Sequence, residues 1–126
     1  IIFFRILSNQ IMFVILRTII LHMKINPEHI DKMTLFAKAM GHPTRMEILA
    51  FLLEQDTCYF GDIHDVFPNA KATISQHLKE LKNAGLIQGE IEGPKVKYCI
   101  NKENWELARL LFDEFFSLKP KSKCCH

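Results

Sequence analysis

The chain has 126 residues, which is enough for one domain or little more and excludes a large multidomain protein. Hydrophobic residues make up 48% of it, enough to bury a core, and the charged fraction of 24% is ordinary for a soluble protein. The formal net charge of +2 is too small to identify a partner by itself.

The first 22 residues differ from the rest of the chain. They are rich in Ile, Leu and Phe, contain no acidic residue, and carry Arg5 and Arg17. Their longest uncharged run covers only residues 6–16, whereas a membrane span needs about 20 apolar residues. No small-residue cleavage site of an export signal follows. We therefore interpret residues 1–22 as an extension, residues 23–118 as the domain and residues 119–126 as a polar, basic tail, and we expect no contact with a membrane.

Two helices are predicted at the start of the domain. Asn26 can cap the first, Pro27 suits its first position, and Gly41 ends it after about 13 residues. Pro43 opens a second helix, which is apolar around more than half of its circumference and should therefore be central. The apolar positions are Ile30, Met33, Phe36, Ala37 and Met40 in the first helix, and Met46, Ile48, Leu49, Leu52 and Leu53 in the second.

A short third helix is predicted over residues 61–67, and Pro68 breaks it. A fourth helix is predicted over about residues 70–84, where Gly85 stops it. The inward residues are Ile63, Val66 and Phe67 in the third helix, and Ile74, Leu78 and Leu81 in the fourth.

After Gly85 the sequence changes to the period of a strand. Residues 86–92 and 95–100 are predicted as two strands of a hairpin around Gly93 and Pro94. On the second strand Val96, Tyr98 and Ile100 alternate with Lys95, Lys97 and Cys99, as in a half-buried hairpin.

The last helix is predicted over about residues 102–118. Its apolar stripe is too wide to be covered by one thin core, so we expect it to pack on a second copy of itself with the first helix beside it. The alternative is that it lies across its own monomer. The stripe consists of Trp105, Ala108, Leu111, Phe112 and Phe115, widened by Leu107, Leu110 and Phe116.

This order of elements is the plan of a winged helix-turn-helix, mainly α with a small β-hairpin (ααααββα). With the apolar stripe of the fourth helix inward, Ala72, Ser75, Gln76, Lys79 and Asn83 project outward. A face of small, hydrogen-bonding and cationic side chains can enter a major groove, which is about 12 Å wide. From residue 71 to residue 102 six lysines stand against three acidic residues. The alternative is an ordinary solvated helix with surface lysines.

Two segments carry a family resemblance. AMGHPTRMEIL at residues 39–49 resembles the A-L-x-x-P-x-R-L-x-I-L opening of the ArsR/SmtB repressors, and TISQHLKELKNAGLI at residues 73–87 resembles their recognition helix. The resemblance covers residues 36–116. It implies a homodimeric repressor that binds double-stranded operator DNA, needs no cofactor to do so, and is released by a ligand, often a thiophilic or transition metal. Ser75, Gln76 and His77 match the family's DNA-reading positions. Together with Lys71, Thr73, Lys79, Lys95 and Lys97 they form the predicted DNA-contacting set.

The resemblance also places one cysteine at a sensing position. Many arsenic-sensing members carry Cys-x-Cys at the start of the third helix; here Cys58 matches the first ligand, and Phe60 occupies the second. Because As(III) takes three soft ligands, the missing sulfurs would come from Cys124 and Cys125 in the tail, whose neighbouring lysines favour thiolate. Such a site would suit As(III), Sb(III), Cd(II) or Pb(II), and Zn(II) if His126 joined it.

Other interpretations of the cysteines stay open. Cys58 is alternatively a small core residue, Cys99 is expected on the hairpin surface, and the tail pair is alternatively redox-active, so that the regulator answers thiol oxidation or a non-metal signal. Without an export signal, we expect reduced thiols in the cytoplasm rather than a disulfide framework.

Two other classes of function are alternatives to the repressor. The first is a thiol enzyme, but the sequence offers no base placed to activate Cys124 or Cys125. The second is a pure interaction module, which would show no salt-dependent DNA binding. We therefore predict a regulator and not an enzyme. A zinc site on the last helix is not expected because that helix contains no His.

Overall fold

The computed structural model describes residues 26–92 and 95–121, together with Ile11, Val14 and Ile15. Four α-helices, a single 3₁₀ turn and a two-stranded hairpin follow one another in this part of the chain. The helices are α1 (Pro27–Met40), α2 (Pro43–Leu53), α3 (Lys71–Asn83) and α4 (Lys102–Ser117); the 3₁₀ turn is Ile63–Asp65, and the strands are β1 (Ile87–Glu92) and β2 (Lys95–Ile100). Among the described residues, no helix combines the length and apolar character that crossing a bilayer requires.

Helix α1 begins and ends where its sequence predicts. The Asn26 side chain accepts a hydrogen bond from the Glu28 backbone N–H at 3.2 Å, and Pro27 occupies the first helical position. Gly41 follows the last turn and donates its backbone N–H to the Lys38 carbonyl. The face that α1 buries carries Met33, Phe36 and Ala39.

Helix α2 is central, as predicted, but its buried face is narrower than the sequence suggests. Ile48, Leu49 and Leu52 are buried, whereas Met46 and Leu53, which were expected inside, are nearly half exposed. The His42 side chain caps the helix by accepting the Thr44 backbone N–H at 3.2 Å. The apolar residues of α2 therefore predict that the helix is packed, but they do not predict which of its faces the rest of the domain buries.

The helix predicted over residues 61–67 is only a 3₁₀ turn, so that prediction was wrong in extent. Ile63 is buried as expected, but Val66 is exposed. Asp62 caps the turn by accepting the His64 backbone N–H, and Phe67 is disfavoured in a helix because Pro68 follows it. Only residues 63–66 lie between these two limits, too few for a stable α-helix. Just before the turn, Tyr59 exchanges two backbone hydrogen bonds with Tyr98, at 2.8 and 3.1 Å, and forms a β-bridge.

Helix α3 crosses the core and ends in a tight turn. Ile74, Leu78 and Leu81 are buried, which confirms the predicted stripe. Gly85 has a φ of +78°, a left-handed conformation that favours glycine, and its carbonyl accepts a hydrogen bond from Asn104 Nδ2 at 2.9 Å. This bond ties the end of α3 to the first turn of α4.

Strands β1 and β2 pair antiparallel from Ile87 opposite Ile100 to Glu92 opposite Lys95, which confirms the predicted hairpin. Gly93 and Pro94, the predicted tip, lie outside the described residues. Tyr98 and Ile100 pack against the core, whereas Val96, expected inside, is exposed because the end of the hairpin projects beyond the core as a wing.

Helix α4 buries only part of its apolar stripe. Ala108 and Leu111 are buried, and Trp105 and Phe112 are partly buried against the same core. Phe115 and Phe116 remain exposed, Phe116 by 76%. Between α1 and α4 lies an apolar groove of about 330 Å³. Its walls are Ile30, Met33, Thr34, Ala37, Phe112 and Phe115.

Candidate nucleic-acid interface

Helix α3 has two chemically different sides. Its inner side is buried, and its outer side presents Ser75, Gln76 and Lys79, all exposed; we call these three residues the reading face. The separation follows from the sequence, because apolar residues at spacings of four and three leave the polar positions on the opposite surface. The reading face therefore combines a hydroxyl, an amide and an ammonium group that can reach base edges or phosphates.

Two of the other predicted contacts lie at the start of α3. Lys71 and Thr73 are exposed, and the Lys71 ammonium lies 3.9 Å from Asp62 Oδ2. Gln76 donates from Nε2 to Glu80 Oε1 at 2.9 Å, one turn further along. This hydrogen bond orients the Gln76 side chain. The second amide N–H and the carbonyl oxygen stay available for a hydrogen bond to DNA.

His77 lies on the inner side of α3 and not on the reading face, so the structure does not place its side chain for the predicted DNA contact. The residue is only 9% exposed, and its ring lies 4.3 Å from the ring of His42, measured between centroids. Burial, followed by the nearby His42 and Arg45, lowers the pKa of His77 below its ordinary value of 6.5. The sequence held a signal for this placement, because position 77 follows Ile74 by three residues and so continues its inward stripe.

The two wing lysines differ in how free they are. Lys95 is exposed. The Lys97 side chain is only 20% exposed, forms an ion pair with Glu90 Oε2 at 3.2 Å, and lies over the Phe60 ring. Lys95 is therefore the better placed of the two to meet a phosphate.

A chain of hydrogen bonds reaches the reading face from the 3₁₀ turn. His64 Nδ1 lies 2.8 Å from Asp62 Oδ1, and His64 Nε2 lies 2.8 Å from Ser75 Oγ. Asp62 also accepts the His64 backbone N–H at 3.0 Å. These two bonds from His64, side chain first, hold the pKa of the Asp62 carboxyl below its ordinary value of 3.8. Sequence reasoning missed Asp62 and His64, although an Asp two residues before a His in a turn is a local capping signal.

Cys58 and Cys99 form a disulfide, so the expectation of reduced thiols was wrong for this pair. The cause is the Tyr59–Tyr98 bridge. In an antiparallel ladder, the pair next to a hydrogen-bonded pair stands about 4.5 Å apart between Cα atoms. The Cα atoms of Cys58 and Cys99 are 4.5 Å apart. The disulfide ties the segment before the 3₁₀ turn to strand β2 of the wing.

The predicted metalloid ligands are not brought together in the described residues. Cys124 and Cys125 lie outside them, and the described part of the chain contains no group of three or more His, Cys, Asp or Glu side chains able to hold a metal ion. A disulfide sulfur offers no thiolate, so Cys58 can become a ligand only after reduction. The site formed by Cys58, Cys124 and Cys125 stays a prediction.

The Asp62–His64–Ser75 order also occurs in serine hydrolases, but the surroundings differ here. A hydrolase needs donors aimed at the developing oxyanion. Ser75 stands in the second turn of α3, where its backbone N–H and that of Gln76 are used inside the helix. The arrangement therefore holds a hydroxyl in place on a surface helix and does not form a catalytic centre.

A polar helix face, a wing beside it and a tight turn before it define a winged helix-turn-helix DNA-binding protein. A model of the bacterial regulatory proteins of the arsR family matches residues 42–88. An uncharacterized helix-turn-helix-type transcriptional regulator of Methanocaldococcus jannaschii is 38% identical over 85 residues, which are 67% of this chain and 96% of the relative. The arsenical resistance operon repressor of Bacillus subtilis is 32% identical over 91 residues, 70% of this chain and 85% of the relative.

A solved structure agrees with the sequence relatives. The crystal structure of a possible transcriptional regulator for arsenical resistance superposes with a TM-score of 0.55 at 28% identity, over 63% of this chain and 81% of that one. The chain belongs to the ArsR family, whose members are DNA-binding transcriptional regulators and not enzymes. The thiol-enzyme alternative is therefore set aside.

Proposed function

We propose that the chain is a repressor that binds operator DNA as a homodimer and leaves it when the chemistry of Cys58 changes. The observation that carries the proposal is the two-sided α3, with Ile74 and Leu78 buried and the reading face exposed beside the wing. The buried side fixes the helix to the core, so the reading face can be presented to a major groove without rearrangement of the fold. Lys95 then meets the backbone from the wing.

The surface of α1 and α4 supports the dimer. The groove between these helices is apolar, and its lining side chains Ile30 and Phe115 remain exposed, as does Leu110 elsewhere on α4. Apolar patches of this extent mark interaction surfaces. A second copy of the chain is the partner, because it offers the same self-complementary stripe. A two-fold dimer would place its two α3 helices on successive major grooves, about 34 Å apart.

The signalling site is proposed at Cys58 and Cys99. Both are half-buried, and they border a pocket of about 350 Å³ together with Gln88 and Lys102, so a small oxidant or arsenite can reach them. Oxidation by hydrogen peroxide forms the S–S bond from two thiols and breaks the O–O bond, and the two thiol protons leave in the two waters that result. The disulfide then tethers the wing to the segment before the reading helix.

Oxidation is expected to strengthen DNA binding, because a tethered wing loses less conformational entropy when it meets DNA. Arsenite acts in the opposite direction. When As(III) is held by the reduced Cys58 with Cys124 and Cys125, the disulfide to Cys99 cannot form. The proposal of a thiophilic inducer is supported by the arsenical resistance repressor among the relatives. A metalloid response and an oxidation response thus compete for the same sulfur.

The test is fluorescence anisotropy of a labelled DNA fragment from upstream of the chain's own gene. The wild type should bind with an affinity that falls steeply with salt, and Lys79→Ala and Lys95→Ala should each reduce the salt slope by about 1. Lys97→Ala, matched in charge but paired with Glu90, should change it less, and Lys119→Ala, beyond α4, should not change it. Salt-independent or absent binding would refute the repressor.

The same assay tests the signal. The oxidised protein should bind at least about fivefold more tightly than the reduced protein, the lower end of ordinary allosteric coupling. Arsenite added to the reduced protein should release the DNA, and Cys58→Ser should abolish both responses. If arsenite acts on Cys58→Ser as on the wild type, Cys58 is not the sensor. Cys124→Ser/Cys125→Ser should lose the arsenite response and keep the oxidation response, because only the arsenite site uses the tail thiols.

A further inference from the structure

We infer that Asp62 and His64 set the hydrogen-bonding polarity of Ser75 on the reading face and thereby select which base Ser75 can recognise. The inference rests on the proposed function, since it concerns the DNA contact of α3. It follows from counting protons along the chain of hydrogen bonds that runs from the 3₁₀ turn to α3.

The count begins at Asp62. An ionised carboxylate only accepts hydrogen bonds, so His64 Nδ1, at 2.8 Å from Asp62 Oδ1, must carry a proton. In a neutral imidazole the other nitrogen, Nε2, is then a lone-pair acceptor. Ser75 Oγ lies 2.8 Å from that nitrogen, so the Ser75 hydroxyl donates a hydrogen bond to His64 Nε2.

The consequence lies on the outer side of Ser75. A serine hydroxyl has one proton and two lone pairs, and the proton is already used. Ser75 can therefore only accept a hydrogen bond from DNA. In the major groove the donors are the amino groups of adenine N6 and cytosine N4, whereas phosphates, guanine and the thymine O4 edge need a donor. Neutral His64 thus selects adenine or cytosine on the strand that faces Ser75.

Protonation of His64 reverses this choice. With both ring nitrogens protonated, Nε2 donates to Ser75 Oγ, and the hydroxyl proton turns outward to a phosphate or to a guanine or thymine edge. The groups that face His64 are Asp62 from its own loop, Ser75 from α3, and Lys95 and Tyr98, which line a pocket of about 400 Å³ with it from β2. Lys71 of α3 is bound to Asp62.

The experiment first locates the contact. A binding site is selected from random duplexes with the wild type at about pH 8, where imidazole side chains are mostly neutral. The base whose identity ceases to matter in Ser75→Ala is the Ser75 contact. The wild type should prefer adenine or cytosine there by about 2- to 12-fold, the factor that one neutral hydrogen bond contributes. Removing the exocyclic amino group from that base should cost the same factor.

Two substitutions then test the role of His64 as a positioning residue. His64→Phe frees the Ser75 hydroxyl, and Asp62→Asn, which keeps a capping side chain, permits the other tautomer of His64. Both should flatten the base preference while salt-dependent binding persists.

A measurement without DNA guards against a folding defect. Nitrogen-15 NMR of the free protein should show His64 protonated at Nδ1 at about pH 8, and Asp62→Asn should mix the tautomers. A proton at Nε2 would overturn the inference, as would an unchanged base preference in His64→Phe that still binds DNA. If no form of the chain binds DNA in a salt-dependent manner, the proposed function fails and the inference with it.

Discussion

Reduction of the Cys58–Cys99 disulfide should destabilise the domain by an amount that follows from its position in the chain. The two cysteines stand 41 residues apart, so the bond closes most of the segment from α2 to the wing. Loop-closure entropy for that length corresponds to about 4 kcal/mol at 25 °C. Reduction lowers the free energy of unfolding mainly by giving the unfolded chain more conformational freedom. The folded protein changes little, because the backbone hydrogen bonds between Tyr59 and Tyr98 still hold the two segments together.

The assay is urea unfolding followed by circular dichroism, with and without a reducing agent. For a slope of about 1 to 3 kcal/mol per molar urea, a loss of 4 kcal/mol lowers the midpoint by about 1.3 to 4 M. The corresponding fall in melting temperature is about 15 to 30 °C for a domain of this size. A Cys124→Ser/Cys125→Ser background leaves only the relevant pair, and a further Cys58→Ser/Cys99→Ser change should remove the response to the reductant.

Two results would refute this reasoning. If mass spectrometry confirms the bond and reduction leaves the midpoint unchanged, the loop is not what stabilises the oxidised chain. If the background protein stays reduced under excess oxidant, the two sulfurs do not meet in solution as they do beside the Tyr59–Tyr98 bridge.

Three further perturbations test other parts of the structure. Gly85→Ala should cost about 1 to 2 kcal/mol in urea unfolding, because a side chain is disfavoured at positive φ and a Cβ there would crowd Asn104; an unchanged midpoint would show that the turn relaxes freely. Phe116→Glu should shift the chain from dimer to monomer in sedimentation, whereas Leu53→Glu, an exposed apolar residue on α2, should not. Because the pKa of His77 is lowered in the fold, the stability that neutral His77 contributes is complete above about pH 6.5 and is lost as the pH falls through the folded pKa; a His77→Asn variant should lose that part of the pH dependence, and a melting curve that keeps it would assign it elsewhere.

The parts of the fold that depend on local chemistry were predictable from the sequence. Asn26, Pro27 and Gly41 fix the ends of α1 because each acts on the backbone groups beside it. The stripe of Ile74, Leu78 and Leu81 determines which side of α3 is buried, and therefore which residues form the reading face. In both cases, the decisive interactions are within one helix or depend only on its periodicity.

The parts that failed depend on contacts between distant segments. Nothing in the local sequence says that Tyr59 pairs with Tyr98, and that one bridge brings Cys58 to Cys99. The exposure of Met46 and Phe116 also depends on distant segments. Hydrophobic composition shows that burying a surface is favourable, but it does not show which segment or partner buries it. For Phe116 the proposed cover is a second chain.

The loop between α2 and α3 joins the two sites that sequence reasoning treated separately. At one end Cys58 is bonded to the wing, and within six residues Asp62 and His64 hold Ser75 on α3. A chemical change at Cys58 therefore acts on a segment whose other end orients the Ser75 hydroxyl, which is proposed to contact DNA. Coupling of this kind is reciprocal, so an operator that favours the tethered wing must by the same factor favour the disulfide over the dithiol. Bound DNA would then protect Cys58 from arsenite, and the two occupants of this small domain would compete through one loop.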